Sequence, residues 1–327
     1  MKLKATLSDR GLRVLEKGFL PTFEKFGKSL QLLLDPQGAY LCQTEQDTDG
    51  LLLSARVAAA VLFEPGSFHI ESRCDNKIAF ALDTALLLRV LHAAAANDAS
   101  SLEMRLTMRA CSSSMSGAVS SGSEQTSQRP VLSFAWQGYD MSMVQDLPIT
   151  RPYPASQVEQ LVSLRDLNSL CPFYLDIQPE MPRFQHLAER LKGLAAELHV
   201  STTRHGKAYM SAHVPGLGLG SETGALQVLP VSMAVPSARA SSRQTDPAER
   251  LAAAEATGHA AGACTLAKHL SRALLASQFT GPAQLLLGIA GDGGFVHLLC
   301  IYSDPESSAG YDDSMSLSFK LPVRSDG

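Results

Sequence analysis

The chain carries the same ordered series of elements twice, and a duplication of this kind constrains the fold more than any other feature of the sequence. Leu-Leu-Arg-Val-Leu (Leu87 to Leu91) is matched by Leu-Ser-Arg-Ala-Leu (Leu270 to Leu274). Fifteen residues after Arg89 comes Met104, and fifteen after Arg272 comes Leu287, both within apolar, strand-like runs. Gly38 follows Leu30 by eight residues, as Gly206 follows Leu198, and Tyr40 and Tyr209 come shortly after. A unit of strand, helix, several strands, helix and closing strands is neither an alternating βαβ sheet nor an all-β sandwich. Two such units predict an α+β chain of two duplicated domains, with few helices on antiparallel sheet.

Met1 to Leu7 alternates Leu3, Ala5 and Leu7 with polar residues, the period of a strand. Asp9 then offers a helix cap. Leu12, Leu15, Phe19, Phe23 and Phe26 form one helical stripe, which Pro21 is expected to bend without ending. Strands are predicted at Leu30 to Leu34, Ala39 to Gln43, Leu51 to Val57, Phe68 to Ser72 and Lys77 to Leu82, and a second helix from Asp83. Ser101 to Arg109, Val131 to Trp136 and Met141 to Ile149 close the first domain, residues 1–149, with a polar insertion at 111–128. Pro152, Pro154 and Pro172 punctuate residues 150–172, read as an inter-domain connector. The second domain, residues 173–327, repeats the order: a strand at Tyr174 to Ile177 and a helix on Phe184, Leu187, Leu191 and Leu194. Strands follow at Leu198 to Thr203, Lys207 to Val214 and Gly224 to Val231, then an insertion at 232–262. A helix on Leu266, Leu270, Ala273 and Ser277 and three closing strands complete it.

Several classes are disfavoured. The formal net charge of −4 makes a generic nucleic-acid binder unexpected, so any such contact must come from local basic patches. Six scattered cysteines without a C-x-x-C pair argue for free thiols rather than a zinc site or disulfide scaffold. No apolar run reaches the ~18 residues of a membrane span, and Met1 to Arg10 lacks the apolar core of a secretory signal, so an intracellular, soluble chain is expected. No H-E-x-x-H, no metal-spaced Cys/His cluster and no G-x-S-x-G occur, and no cofactor is expected. Gly216 to Gly220 (GLGLG) precedes a strand rather than a helix and is read as a flexible connection, not a phosphate loop.

The order of local matches then points to a family. MKLKATLSD at the start, VQDLPIT (Val144 to Thr150), LAERLKGLAAELHVSTTRHGKAYMSAHV (Leu187 to Val214), VHLLCIYSD (Val296 to Asp304) and MSLSFKLPV (Met315 to Val323) resemble the Hus subunit of the DNA-damage checkpoint clamp. The likeness covers nearly the whole chain, failing at the two insertions, and rests on the series rather than on one diagnostic motif. It implies the DNA-clamp fold of the proliferating-cell nuclear antigen, with helices lining a pore and antiparallel sheets outside. It also implies a non-catalytic, nuclear subunit of a heterotrimer with Rad-nine-type and Rad-one-type partners. Such a ring is loaded onto double-stranded DNA by an ATP-driven clamp loader and serves checkpoint and repair proteins. A homotrimeric replication clamp shares the fold, and an enzyme on an unrelated α+β scaffold is the reading of a different class.

A ring that slides needs positive charge toward phosphates without base contacts. Opposite the apolar stripes lie Arg10, Lys17 and Lys28 on the first helix, flanked by Arg13 and Lys25, Arg89 on the second, and Lys268 and Arg272 on the fourth, while on the third Arg190 and Lys192 flank a polar face centred on Glu189. These are the candidate DNA-facing residues. By resemblance to clamps, edge strands would join subunits: Leu102, Met104, Leu106 and Met108 on one edge, Leu226 and Val228 on the other. The connector residues Val158, Leu161 and Leu164 would dock partner proteins.

Overall fold

The computed structural model describes residues 1–97, 101–111, 127–138, 142–166, 171–214, 217–224, 226–230, 246–291, 294–303 and 311–324. The chain divides into two compact units, residues 1–43 with 56–166, and 44–55 with 167–327.

In the first unit, β1 (Lys2–Leu7) leads into α1 (Asp9–Arg13), a π-helical turn (Val14–Phe19) and α2 (Leu20–Phe26), which run on as one helix. Its cap is Ser8, not the expected Asp9: the Ser8 hydroxyl accepts from the Gly11 amide at 2.9 Å and donates to the Val61 carbonyl at 2.6 Å. The π turn lies just before Pro21, where the Leu20 amide bonds to the Leu15 carbonyl five residues back. A proline removes one i→i−4 bond, and the wider turn redistributes the bonds around that gap. There follow β2 (Ser29–Asp35), β3 (Gly38–Gln43), β4 (Leu52–Ala58, whose residues 52–55 belong to the second unit), α3 (Ala59–Leu62), β5 (His69–Glu71), β6 (Ile78–Asp83) and α4 (Thr84–Ala96). The unit closes with β7 (Leu102–Cys111), β8 (Ser127–Gln137), β9 (Ser142–Pro148) and α5 (Ala155–Asp166). One sheet runs β5-β1-β7-β8-β9, and β3, β2 and β6 lie in order in a second.

The second unit holds β10 (Phe173–Asp176), α6 (Met181–Lys192), β11 (Glu197–Thr203), β12 (Lys207–Val214), β13 (Leu217–Thr223) and β14 (Gln227–Pro230). Then come α7 (Pro247–Ala256), β15 (Ala260–Leu266), α8 (Ala267–Ser277), β16 (Gln284–Ile289), β17 (Phe295–Ser303) and β18 (Tyr311–Pro322). Its sheets run β14-β10-β16-β17-β18 and β13-β12-β11-β15. The duplication therefore extends to strand pairing. Met104 of β7 lies between Ala5 of β1 and Phe134 of β8, as Leu287 of β16 lies between Leu175 of β10 and Leu298 of β17. Gly38 and Gly206 turn the equivalent β2–β3 and β11–β12 hairpins, at φ 149° and 75°. A Cβ would lie 2.2 Å from the Val57 carbonyl oxygen at Gly38 and 2.3 Å from that of Leu226 at Gly206.

Three expectations need correction. Residues 150–166 of the expected inter-domain connector pack as part of the first unit. The Thr150 amide donates to the Ala81 carbonyl and its hydroxyl accepts from the Ala81 amide, the Tyr153 amide donates to the Ala79 carbonyl, and α5 lays Val158 and Leu161 on Leu33, Tyr40, Cys42 and Ala79. Arg165 of α5 pairs with Asp35, which also holds the β2–β3 turn through the Gln37 and Gly38 amides. The run Leu32-Leu33-Leu34 explains this packing: a strand apolar on both faces needs cover on both, and α5 is the cover over Leu33. Within 232–262, α7 and the start of β15 are regular elements, while 231–245 and most of 111–128 fall outside the described residues. Of Gly216 to Gly220, read as a flexible connection, Gly216 lies outside the described residues and the rest belongs to strand β13 (Leu217–Thr223), paired along β12.

A buried polar chain crosses the outer sheet of the second unit. The Tyr174 hydroxyl lies 2.7 Å from Nδ1 of His297, whose Nε2 lies 2.6 Å from the Ser318 hydroxyl. Gly288, between Tyr174 and His297 in register, clears the path, for a Cβ there would stand 2.6 Å from the tyrosine ring. Burial, and then the nearby Lys320, lower the His297 pKa to about 3.

Two predictions follow from these contacts. Gly38→Ala and Gly206→Ala each cost on the order of 2 kcal/mol or more in urea unfolding, while Gly224→Ala, which meets nothing within 4 Å, stays within about 0.5 kcal/mol. The unfolded chain protonates His297 near its ordinary 6.5 and the folded chain only near 3, so protons favour unfolding. Stability is then full above pH 6.5 and falls by up to about 1.4 kcal/mol per pH unit toward pH 3. Unfolding of His297→Gln across that range should show a shallower pH slope, and an unchanged slope would refute the assignment.

Candidate nucleic-acid interface

Each unit carries one pair of helices whose apolar stripes enter its core. In the first, Leu15, Phe19, Phe23 and Phe26 are buried beside Leu87, Leu88 and Leu91 of α4. In the second, Phe184, Ala188 and Leu191 of α6 are buried, with Leu270, Ala273 and Leu274 of α8. The opposite faces carry the charge. Arg10, Arg13, Lys17, Lys25, Lys28, Arg89, Arg190, Lys192, Lys268 and Arg272 are all exposed. Lys28 stands beyond the helix, which ends at Phe26 with Gly27 in extended conformation, and its carbonyl receives the amide of Thr84.

A carboxylate joins the two helices of each pair. Buried Glu16, from the π turn, lies 2.7 Å from Nδ1 of His92 on α4. Glu189 of α6 accepts from the Ser271 hydroxyl of α8 and pairs with Lys192 at 2.7 Å. The Lys192 ammonium, and then the Ser271 hydroxyl, hold the Glu189 carboxyl below the usual range. These bridges spend acidic charge inside the pair and leave much of the outer basic charge unneutralised. Among the described residues, Lys17, Lys25, Lys28, Arg89 and Arg190 make no ion pair, whereas Lys192 is paired and Lys268 is held by Asp49. Exposed cations carried on helices suit contact with a repeating polyanion.

Of the two strands expected at sheet edges, β14 lies at one and β7 does not. β7 is an inner strand between β1 and β8, so Leu102 and Met104 are core residues, Leu106 is half-buried, and Met108 alone of the four is exposed. Leu226 is buried at the Gly206 turn. Val228 is half-buried on β14, which does lie at the end of its sheet. Seven-residue strands at sheet ends among the described residues are β9 in the first unit, with Val144 exposed, and β13 and β15 in the second. The reason for the miss is that alternation marks a strand with two different faces and says nothing about which strands end a sheet. Val158 and Leu161, offered for partner docking, are 3% and 4% exposed beneath α5 and so lack an accessible side chain, and Leu164 packs beside them.

The profile of the Hus1-like protein family matches residues 1–323. Comparison with curated proteins gives no match. Among solved structures, the Proliferating Cellular Nuclear Antigen from Entamoeba histolytica superposes with a TM-score of 0.56 at 10% identity, covering 99% of each chain. A chain of the PCNA2-PCNA3 complex from Sulfolobus tokodaii superposes with a TM-score of 0.55 at 10% identity, covering 98% of this chain and 99% of that one. At such identity the likeness is one of fold, and the fold is the α+β sliding-clamp architecture.

Replacing Lys17, Arg89 or Arg190 by Ala should weaken binding of short duplexes equally for unrelated sequences. Each should also flatten the plot of log affinity against log salt by about 0.9. Fluorescence anisotropy over a salt series measures both, and a loss confined to one DNA sequence would contradict a backbone-only interface.

Proposed function

The chain belongs to the Hus1-like protein family, and from that membership we propose that it is a non-catalytic subunit of a heterotrimeric sliding clamp acting at damaged DNA or stalled forks. The observation that carries the reading is the duplicated basic helix pair. Arg89 and Arg272 hold equivalent positions on α4 and α8, each exposed opposite a buried leucine stripe. A duplicated, base-independent cationic surface is what a ring needs to hold duplex without fixing it at one sequence.

Closing a ring from single chains takes two unlike joining surfaces, because head-to-tail contacts are heterologous. We assign these to β9 and β13 in place of the expected Ser101 to Arg109 and Gly224 to Val231, since strands at sheet ends carry unpaired backbone groups on their outer side and can pair with another chain. The neighbours in the ring would be Rad-nine-type and Rad-one-type subunits, with an ATP-driven loader opening it and checkpoint and repair proteins docking outside. Action on chromosomal DNA places the assembly in the nucleus. The enzyme reading has less support: the basic residues point outward, and the buried His297 is engaged on both ring nitrogens within the sheet.

Light scattering after gel filtration separates the clamp readings. The 34.9 kDa chain alone should run as a monomer and join Rad-nine-type and Rad-one-type partners one-to-one-to-one. A stable self-trimer would replace this reading with a homotrimeric replication clamp, and a chain that joins neither itself nor those partners would remove both.

A further inference from the structure

The N-terminus of α8 combines features that the clamp reading does not use. Leu266 gives the helix no side-chain cap; the Ala267 amide donates to the Ala196 carbonyl at 2.9 Å, and the amides of Lys268 and His269 have no acceptor within the helix. His269, in that turn, is 1% exposed, and neither ring nitrogen has a hydrogen-bond partner. Its Nε2 is turned toward the Asp49 carboxylate at 3.9 Å. Lys268, in the same turn, grips that carboxylate, and Arg272 and Arg324 add positive charge close enough to act on His269. Burial, and then Lys268, keep His269 below its ordinary pKa, so the ring is a neutral donor rather than a second cation.

Asp49 is presented by its own turn rather than by the helix. The turn closes through Asp47 to Thr44 and Gly50 to Glu45 backbone bonds, and the Thr48 hydroxyl bonds to the carbonyls of Thr44 and Leu51. Asp49 sits at φ 62° and Gly50 at φ 95°, so the carboxylate stands at a left-handed tip, with its side chain 70% exposed. It can leave Lys268 by side-chain rotation while the turn keeps its bonds. A solvated carboxylate at an uncapped helix start, beside a lysine and an unpartnered buried donor, occupies the place where an oxyanion is best held.

We propose that the first turn of α8, with Lys268 and His269, is a phosphate-binding site filled by the Asp49 carboxylate, which a nucleic-acid phosphodiester displaces on binding. Asp49 is then a latch. It shields one strong phosphate contact until a polyanion is close, which keeps the contact exchangeable as duplex moves past. The nucleic-acid source rests on the clamp reading; the oxyanion site itself does not.

Asp49→Asn tests it, because asparagine keeps the shape and tolerates the left-handed backbone. With histidine-labelled full-length protein, the His269 ring resonance, assigned by its loss in His269→Asn, is followed during titration with inorganic phosphate. It should shift at lower phosphate in Asp49→Asn than in the parent chain, and not at all in Lys268→Ala. Duplex affinity of Asp49→Asn should rise roughly twofold to fivefold, the scale of one exposed ion pair. Its salt slope should steepen by about 0.9, because no displaced carboxylate takes up a cation. If Asp49→Asn only loses stability, with phosphate and duplex binding unchanged, Asp49 is a plain helix cap and the proposal falls. Duplex binding that depends on Lys17 and Arg89 but ignores Asp49 and Lys268 would sink the latch alone. A phosphate response without duplex binding by the chain or its assembled ring would sink the nucleic-acid source and leave the oxyanion site.

Discussion

In each unit two helices press one apolar stripe into the core, and that packing decides where the charge goes. Burying Phe19, Phe23 and Phe26 with Leu87 and Leu91, at about 1.5–3 kcal/mol per large side chain, fixes the rotation of both helices of the first unit. Phe184, Leu191, Leu270 and Leu274 do the same in the second. Once the rotation is set, the cations between the apolar positions have only one side to occupy. No attraction among them is required. The basic surfaces are a consequence of core packing, which is why they survive in a chain whose net charge is −4.

Two acidic residues of these helices reach across to the other helix of their pair. Glu16 is turned inward to His92, and Glu189 bridges to Ser271 and Lys192. Both add directional contacts between helices that apolar packing alone would let slide. Asp49 differs, being an exposed carboxylate on a turn outside the helices that reaches Lys268. Exposed pairs of this kind are weak and exchange readily, so the same chemistry that braces the helix pair inside can gate it outside.

The sheet faces follow a different constraint. A strand with apolar residues on both faces must be covered twice. For β2 the helix pair supplies one cover and α5 the other, drawing in residues that the prolines had marked as a connector. Prolines report where backbone donors are missing, and Pro152 and Pro154 stand just before α5, where missing donors cost little. Apolar positions on so short a segment had two possible uses, a docking surface or a cover, and only the neighbouring Leu33 and Tyr40 decide between them.

By itself the sequence determined what depends on neighbours along the chain. The two-fold order of elements, the helical stripes, most strand positions, the equivalence of Arg89 with Arg272 and of Gly38 with Gly206, and the exposed placement of the ten cations were all legible, because residue period and turn chemistry are local. Tertiary structure alone decided which strand ends a sheet, setting β7 inside its sheet and β9 and β13 at the ends of theirs. It buried Val158 and Leu161, folded Leu217–Thr223 into a strand, and brought Asp49 to Lys268 across more than two hundred residues. These are pairings between distant segments, and a strand's own residues carry no record of whether a partner lies on one side or on both.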